Sequence, residues 1–261
     1  MMTNENPGGH GERAFAAGAL DVACWDIVGK LEEKPLYKVF AERYNYGNFD
    51  TQVAVYPGGR YYYPEGGTDL NDERQGYRDA GYLLMKMTIG DASIAKDLAR
   101  IESVLKVTGE GKCLAVDANA SISLDQALEY VNAISDYKLA WFEEPVDPLD
   151  YGAIGGSCKV GATLVATGES LFSIIDAENL LRYGGLRRDR DWLQFDPSLM
   201  YGPSQSITAV RMRRVYGSSS RRHGPHGGQQ LGLHLAAGLQ LVELRPIYSC
   251  FSPSGVLAMM S

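Results

Sequence analysis

The sequence predicts an α/β protein, a (β/α)8 TIM-like barrel, and three observations carry that prediction. Short apolar runs alternate with amphipathic stretches; three consecutive runs each close on a carboxylate; and those carboxylates are evenly spaced. The runs are Leu114-Ala115-Val116-Asp117, Leu139-Ala140-Trp141-Phe142-Glu143 and Thr163 to Glu169. Asp117 to Glu143 and Glu143 to Glu169 are both steps of 26 residues, the length of one strand, one helix and two turns. Three consecutive βα units therefore bring three acids to the same end of neighbouring parallel strands. That end is where a (β/α)8 enzyme keeps its chemistry, and three oxygen ligands facing one point suit a hard cation such as Mg2+. Any one of these acids alone reads as a strand that has reached water. The equal spacing is what turns the set into a candidate metal site.

The 261 residues suit one such barrel, typically about 250 residues, or two smaller domains; the uniform rhythm favours one. Hydrophobic content of 45% and charged content of 22% are those of an ordinary soluble globular chain, and no run of about 18 apolar residues could cross a membrane. Met1 to Asn6 is polar, without an apolar core behind a basic end, so a cytoplasmic location is expected. Cys24, Cys113, Cys158 and Cys250 form no C-x-x-C pair and are read as reduced thiols. A net charge of -7 gives no general attraction to nucleic acid. The cluster Arg211, Arg213, Arg214, Arg221 and Arg222 is read as a solvated helix face and loop.

Residues 13–30 read as a helix, with Leu20, Ala23, Ile27 and Val28 at helical spacing and Gly29 and Pro35 near its end. A short helix follows Pro35. Together these make residues 1–50 a helical lead-in. Thr51 to Tyr56 reads as a strand broken at Pro57-Gly58-Gly59. The aromatic loop Tyr61-Tyr62-Tyr63 is read as packing over a barrel end, the alternative being the lining of a pocket. The barrel proper, 51–241, continues with a helix over 71–80, a strand Tyr82 to Ile89, helices over 93–107 and 123–135, and a helix over 174–183. The strand Trp192-Leu193-Gln194-Phe195-Asp196 again closes in an acid, 27 residues after Glu169. Leu231 to Leu241 is a helix or a strand, and 242–261 is a divergent tail.

No G-x-G-x-x-G follows a strand, no G-x-x-x-x-G-K-[ST] occurs, and the G-x-S-x-G elbow of serine hydrolases is absent. Histidine is scarce: only His10, His223, His226 and His234. His226, beside Gly227 and Gly228 and 30 residues after Asp196, is the functional candidate, against the alternative that it caps a glycine loop.

Lys86 at one strand end, Asp117, Glu143 and Glu169 on the next three, then Asp196 and His226, resemble the mandelate racemase branch of the enolase superfamily. The six positions stay in register over some 140 residues. Within that branch Arg182 to Arg187, Asp191 to Asp196 and Pro225-His226-Gly227-Gly228 look most like D-tartrate dehydratases. The resemblance implies that Asp117, Glu143 and Glu169 hold Mg2+, that Asp196 orients His226, and that Lys86 contacts the carboxylate of a small hydroxy-acid or acid-sugar substrate. It also implies that Asn119, on the strand face of Asp117, donates a hydrogen bond to that substrate. Glu144 is expected to turn away toward structure. In such a dehydratase a base takes the proton next to the carboxylate and His226 protonates the departing β-hydroxyl.

The sequence departs from that pattern in four places. The family's Lys-x-Lys strand motif reads Lys86-Met87-Thr88, so Thr88 stands where the base is expected. The family's N-terminal capping domain has no counterpart, which gives the expectation of a truncated form. The pattern is lost over 152–162 and 211–222, so the barrel is expected to be incomplete near strands 7 and 8. The tail from Val242 departs altogether. These features predict a Mg2+-dependent acid-sugar dehydratase of reduced or absent activity, with a non-catalytic binding or structural remnant and a racemase or epimerase as alternatives. A homo-oligomer is compatible with all three.

Overall fold

The computed structural model describes residues 10–59, 62, 70–82, 84–217, 230–242 and 257–259. Helices α1 (Gly11–Leu31) and α2 (Leu36–Tyr44) precede strands β1 (Gln52–Ala54) and β2 (Gly58–Gly59). The alternating part runs α3 (Leu70–Asp79), β3 (Met85–Thr88), α4 (Ile94–Thr108), β4 (Leu114–Asp117), α5 (Leu124–Ile134) and β5 (Phe142–Glu143). It continues with α6 (Tyr151–Lys159), β6 (Val165–Thr167), α7 (Ile174–Tyr183), β7 (Trp192–Leu193), α8 (Pro203–Val215) and α9 (Gln230–Leu239), and β8 is Leu257–Met259. Strands β2 to β7 pair in chain order, all parallel, and β1 pairs antiparallel with β8. This is an α/β fold in which helices connect the strands of one parallel sheet.

The helices start where side chains supply the missing acceptors. Ser93, Ser123, Asp150 and Ser173 accept the backbone N–H of Lys96, Gln126, Ala153 and Asp176 at the heads of α4, α5, α6 and α7. Strand residues alternate between two faces. One face sends Met87, Val116, Phe142, Val165 and Leu193 against Ile101, Tyr130, Ile154 and Leu180 of the helices. The other gathers Leu84, Ala115, Trp141, Ala166 and Trp192 in a separate cluster. Lys86, Asp117 and Glu143 follow these residues at two-residue spacing and so share their face. Trp25, Phe40, Ile207, Val210 and Leu235 form a further core, in which the lead-in helices pack on α8 and α9.

At the N-terminal ends of β6 and β7 the buried Asp191 pairs with the half-buried Arg187. Arg187 donates to both oxygens of Asp191 (2.6 and 3.0 Å) and to the carbonyls of Gly161 (2.8 Å) and Thr163 (2.7 Å). Asp191 also accepts the N–H of Val165 (2.9 Å) and of Arg187 (2.8 Å).

Several expectations change. The strand expected over Thr51 to Tyr56 is cut short at Ala54, and β2 joins the parallel sheet only after Pro57, which has no N–H to donate while its carbonyl accepts that of Lys86 (3.0 Å). The region 152–162 forms α6, started by the Asp150 cap, and α8 reaches Val215. Arg213 is fully buried on α8 and not on a solvated face; Arg211 is exposed, and Arg221 and Arg222 lie outside the described residues. Cys113 is disulfide-bonded and not a reduced thiol, whereas Cys24 and Cys158 are free. Bridging depends on Cα atoms meeting in space, about 5.5–6 Å apart, which spacing along the chain cannot reveal. Residues 257–259 of the tail form β8. Among the described residues no helix is long and apolar enough to cross a membrane.

Candidate active site

Strand register builds the centre of the site. Thr88 pairs with Asp117 and Asp117 with Glu143, so three consecutive strands end level with one another. The Lys86 ammonium reaches across them and donates to Asp117 Oδ2 (2.8 Å) and Glu143 Oε1 (2.6 Å). The outer oxygens are engaged as well: Asp117 Oδ1 accepts the Asn119 N–H (2.8 Å) and Glu143 Oε2 accepts Trp141 Nε1 (2.8 Å). Gln194 also hydrogen-bonds to Glu143. Burial resists the charge on Glu143, but Lys86, Trp141 and Gln194 outweigh it and hold the carboxyl below its usual range. Asp117 is pushed the other way, by burial and by the charge of Glu143, against the pull of Lys86. Burial likewise works against the Lys86 charge, yet Glu143, Tyr56 and Asp117 hold the ammonium above its ordinary range.

Two further acids join this pair. Glu144 has a left-handed backbone (φ 35°) and is buried. Ser170 Oγ donates to its Oε2 (3.3 Å), while its Oε1 is buried with no hydrogen-bond partner. Burial, then the charges of Glu169, Asp117 and Glu143, push its carboxyl up to about 8. Glu144 is therefore not turned away from the acids, because the left-handed φ breaks the alternation expected of a strand. Glu169 follows Gly168, whose φ of 118° and closeness to the Phe195 ring (3.2 Å for an added Cβ) require glycine. It lies beyond the end of β6, half-buried, within electrostatic reach of Glu144 and of the Tyr56 hydroxyl. Tyr56 packs edge-on against Trp141 (5.2 Å between centroids), and its hydroxyl is kept protonated by burial and by the charge of Glu143. Sequence reasoning missed Tyr56, Trp141 and Gln194. Trp141 and Gln194 precede Glu143 and Asp196 by two residues, and that parity was the available signal.

The remaining candidates are placed separately. Asp196 is buried and its Oδ1 accepts the Ser198 N–H (2.6 Å). His226 lies outside the described residues, and so does the expected Asp196–His226 pair. Asn119 is not on the strand face of Asp117: β4 ends at Asp117, whose carboxylate captures the Asn119 N–H, and Asn119 turns into the left-handed region (φ 44°) with its side chain exposed. Thr88 is half-buried, and its carbonyl accepts Arg100 Nη1 (3.0 Å). Arg100 in turn donates to the fully buried Asp97 (2.7 Å) and lies over the Tyr62 ring (3.9 Å). Asp97 also accepts the hydroxyls of Tyr62 (2.7 and 2.8 Å) and Tyr130 (2.7 Å) and the Gly90 N–H (2.9 Å). Of the aromatic loop, Tyr62 thus packs at the lip of β3; Tyr61 and Tyr63 lie outside the described residues.

Among the described residues no three His, Cys, Asp or Glu side chains are drawn together as a ready-made metal-ligand set; Lys86 stands between two of the acids. The donor set nevertheless fits a divalent cation. Asp117 and Glu143 are held together by Lys86, and Glu144 and Glu169 add their charges to the same electrostatic neighbourhood. Hard oxygen donors with excess negative charge are what Mg2+ requires.

Known proteins resemble this chain in sequence and in fold. The chain is 31% identical over 180 residues to a 3,6-anhydro-alpha-L-galactonate cycloisomerase of Streptomyces coelicolor, covering 69% of this chain and 47% of that protein. It is 30% identical over 238 residues to an arabinonate dehydratase of Saccharolobus solfataricus, covering 88% of this chain and 60% of the relative. The fold matches a racemase from Streptomyces coelicolor A3(2) crystallised with bound magnesium, with a TM-score of 0.77 and 27% identity over 88% of this chain and 61% of that one. The chain thus spans about half to three-fifths of the length of these relatives. The enolase C-terminal domain-like family matches residues 69–251, well over half of the sequence, and the chain belongs to that family.

Proposed function

We propose that this protein is a Mg2+-dependent acid-sugar dehydratase, acting on a hydroxy acid of the tartrate type in the cytoplasm, with its rate limited by Thr88. The observation that carries the reading is the pair of buried acids Asp117 and Glu143, level at the C-terminal ends of neighbouring parallel strands and bridged by the Lys86 ammonium, with Glu144 and Glu169 within electrostatic reach. In this reading Asp117, Glu143 and Glu169 hold the cation within a barrel domain spanning 51–241. When bound, the cation supplies positive charge to the substrate's carboxylate oxygens as the neighbouring proton leaves. Lys86 binds the same carboxylate, and Trp141 and Gln194 keep Glu143 oriented. His226, oriented by Asp196, protonates the departing hydroxyl, and Asn119 donates to the substrate from its turn. Support for the acid-sugar class comes from the relatives, among them the arabinonate dehydratase.

A second reading, a non-catalytic remnant that keeps the fold and binds a cation, is favoured by one observation: the base position holds a threonine. Lys86 and Thr88 point to the same face at depths differing by about 7 Å, and Lys86 is tied to two acids. It cannot take over the position of the missing amine. General-base catalysis contributes a factor of about 10² to 10⁴, and Thr88→Lys should restore part of it. Mg2+-dependent loss of water from D-tartrate and related acid sugars, compared for wild type and Thr88→Lys, separates the readings. A gain in the variant supports the dehydratase, and background rates for both leave the remnant.

A further inference from the structure

We propose that Lys86 and a divalent cation are alternative partners of one carboxylate pair, so that loading the cation frees the Lys86 ammonium to grip the substrate's carboxylate. The inference deepens the reading above and rests on it. Lys86 Nζ holds Asp117 Oδ2 at 2.8 Å and Glu143 Oε1 at 2.6 Å. The other oxygen of each acid is engaged by a different donor, the Asn119 N–H and the Trp141 indole N–H. A cation approaching the centre of the site therefore meets the two oxygens the ammonium already holds. An ammonium and a divalent cation compete for those two oxygens, and their like charges repel strongly in a buried setting, where water screens little. One occupant excludes the other.

The surroundings give the displaced lysine somewhere to go. Its stem runs past Gly58, where an added Cβ would come within 3.9 Å of Lys86 Cε, so no side chain of β2 walls it in. Toward the opening, the next residue on the same face is the short Thr88, which leaves the long lysine a path to the mouth. The exchange makes cation and substrate cooperative: the cation charges the site and unlocks the group that binds the anion. Such coupling between two ligands is reciprocal.

The test is calorimetric titration of the purified chain with MgCl2, then with D-tartrate. Lys86→Met should bind Mg2+ about tenfold more tightly than wild type, within the usual range of coupling between sites. It should also lose the Mg2+-dependent binding of tartrate. Unchanged or weaker Mg2+ binding in Lys86→Met overturns the exchange, provided the wild type binds Mg2+ and Asp117→Ala does not. If the wild type binds none, or Asp117→Ala binds as well as wild type, the metal reading falls and the exchange with it. Wild-type protein gives a second measurement that does not depend on a variant's folding. Acylation of Lys86 by an amine-directed reagent, mapped by peptide mass, should rise several-fold on adding Mg2+, and labelling that stays level overturns the proposal.

Discussion

Asp191 and Glu144 are both buried carboxyl groups on the same sheet, one at the N-terminal ends of its strands and one at the C-terminal ends. Asp191 meets a guanidinium on both oxygens and two backbone N–H groups, and Arg187 satisfies two further carbonyls. Glu144 meets one hydroxyl at 3.3 Å and the charges of three other acids. The first arrangement is what a buried ion pair needs if its desolvation is to be offset, namely good geometry and no unpaired atoms. The second stores repulsion that nothing in the fold requires. In a (β/α)8 enzyme the C-terminal face carries the chemistry and the opposite face the stability, and here the two ends divide buried charge in that way.

The largest effect should come from breaking the satisfied end. Asp191→Ala leaves the Arg187 guanidinium without its counter-charge and the Val165 N–H without a partner, and should cost about 3 kcal/mol in urea unfolding. The exposed Lys30–Asp26 pair is the control, and Asp26→Ala should cost under about 1 kcal/mol. Equal small losses would erase the contrast between the ends.

At the other end a side chain that needs no proton should help. Glu144→Gln keeps the shape and spares folding the uptake of the proton that Glu144 needs among Glu169, Asp117 and Glu143, so at neutral pH and without added divalent cation the variant should melt higher, by about 1 kcal/mol of stability. A lower melting temperature would show that Glu144 is structural after all.

The smallest effect isolates burial without a charged neighbour. His234 stacks on Tyr37 (5.9 Å, 6°), its Nδ1 is buried without a hydrogen bond, and burial alone lowers its pKa from 6.5. Because the folded value lies below the unfolded one, this contribution is present above pH 6.5 and lost as the pH falls through the folded value. His234→Phe should flatten that acid-side slope, by less than about 1 kcal/mol, in melts recorded from neutral to mildly acidic pH. An unchanged slope would mean that burial alone does not govern this histidine.

What could be read from the sequence was whatever repeats. The period that brings Asp117 and Glu143 to level strand ends is a length, and lengths are visible in a chain; the pairing of Thr88 with Asp117 and Asp117 with Glu143 follows from it. The turn at Gly168 that carries Glu169 beyond β6 was not visible, nor was the left-handed φ that keeps Glu144 among the acids, because single backbone angles have no period. Arg213 looked solvated for the same reason that Cys113 looked free. A residue type states a preference for water or for a partner, and tertiary neighbours overrule it.

The Asp97 node has a consequence in time. Gly90 lies past the end of β3, in backbone that would ordinarily trade its amide proton with water as quickly as any loop. Its N–H points at a fully buried carboxylate shared by Tyr62, Tyr130 and Arg100. Asp97 belongs to the first turn of α4, so amide exchange at Gly90 is expected to be slowed to the rate of openings that part the helix from the strand. The lip of β3 just beyond Lys86 and Thr88 should thus keep the slow clock of the core and not the fast one of the surface, which hydrogen exchange at Gly90 would read.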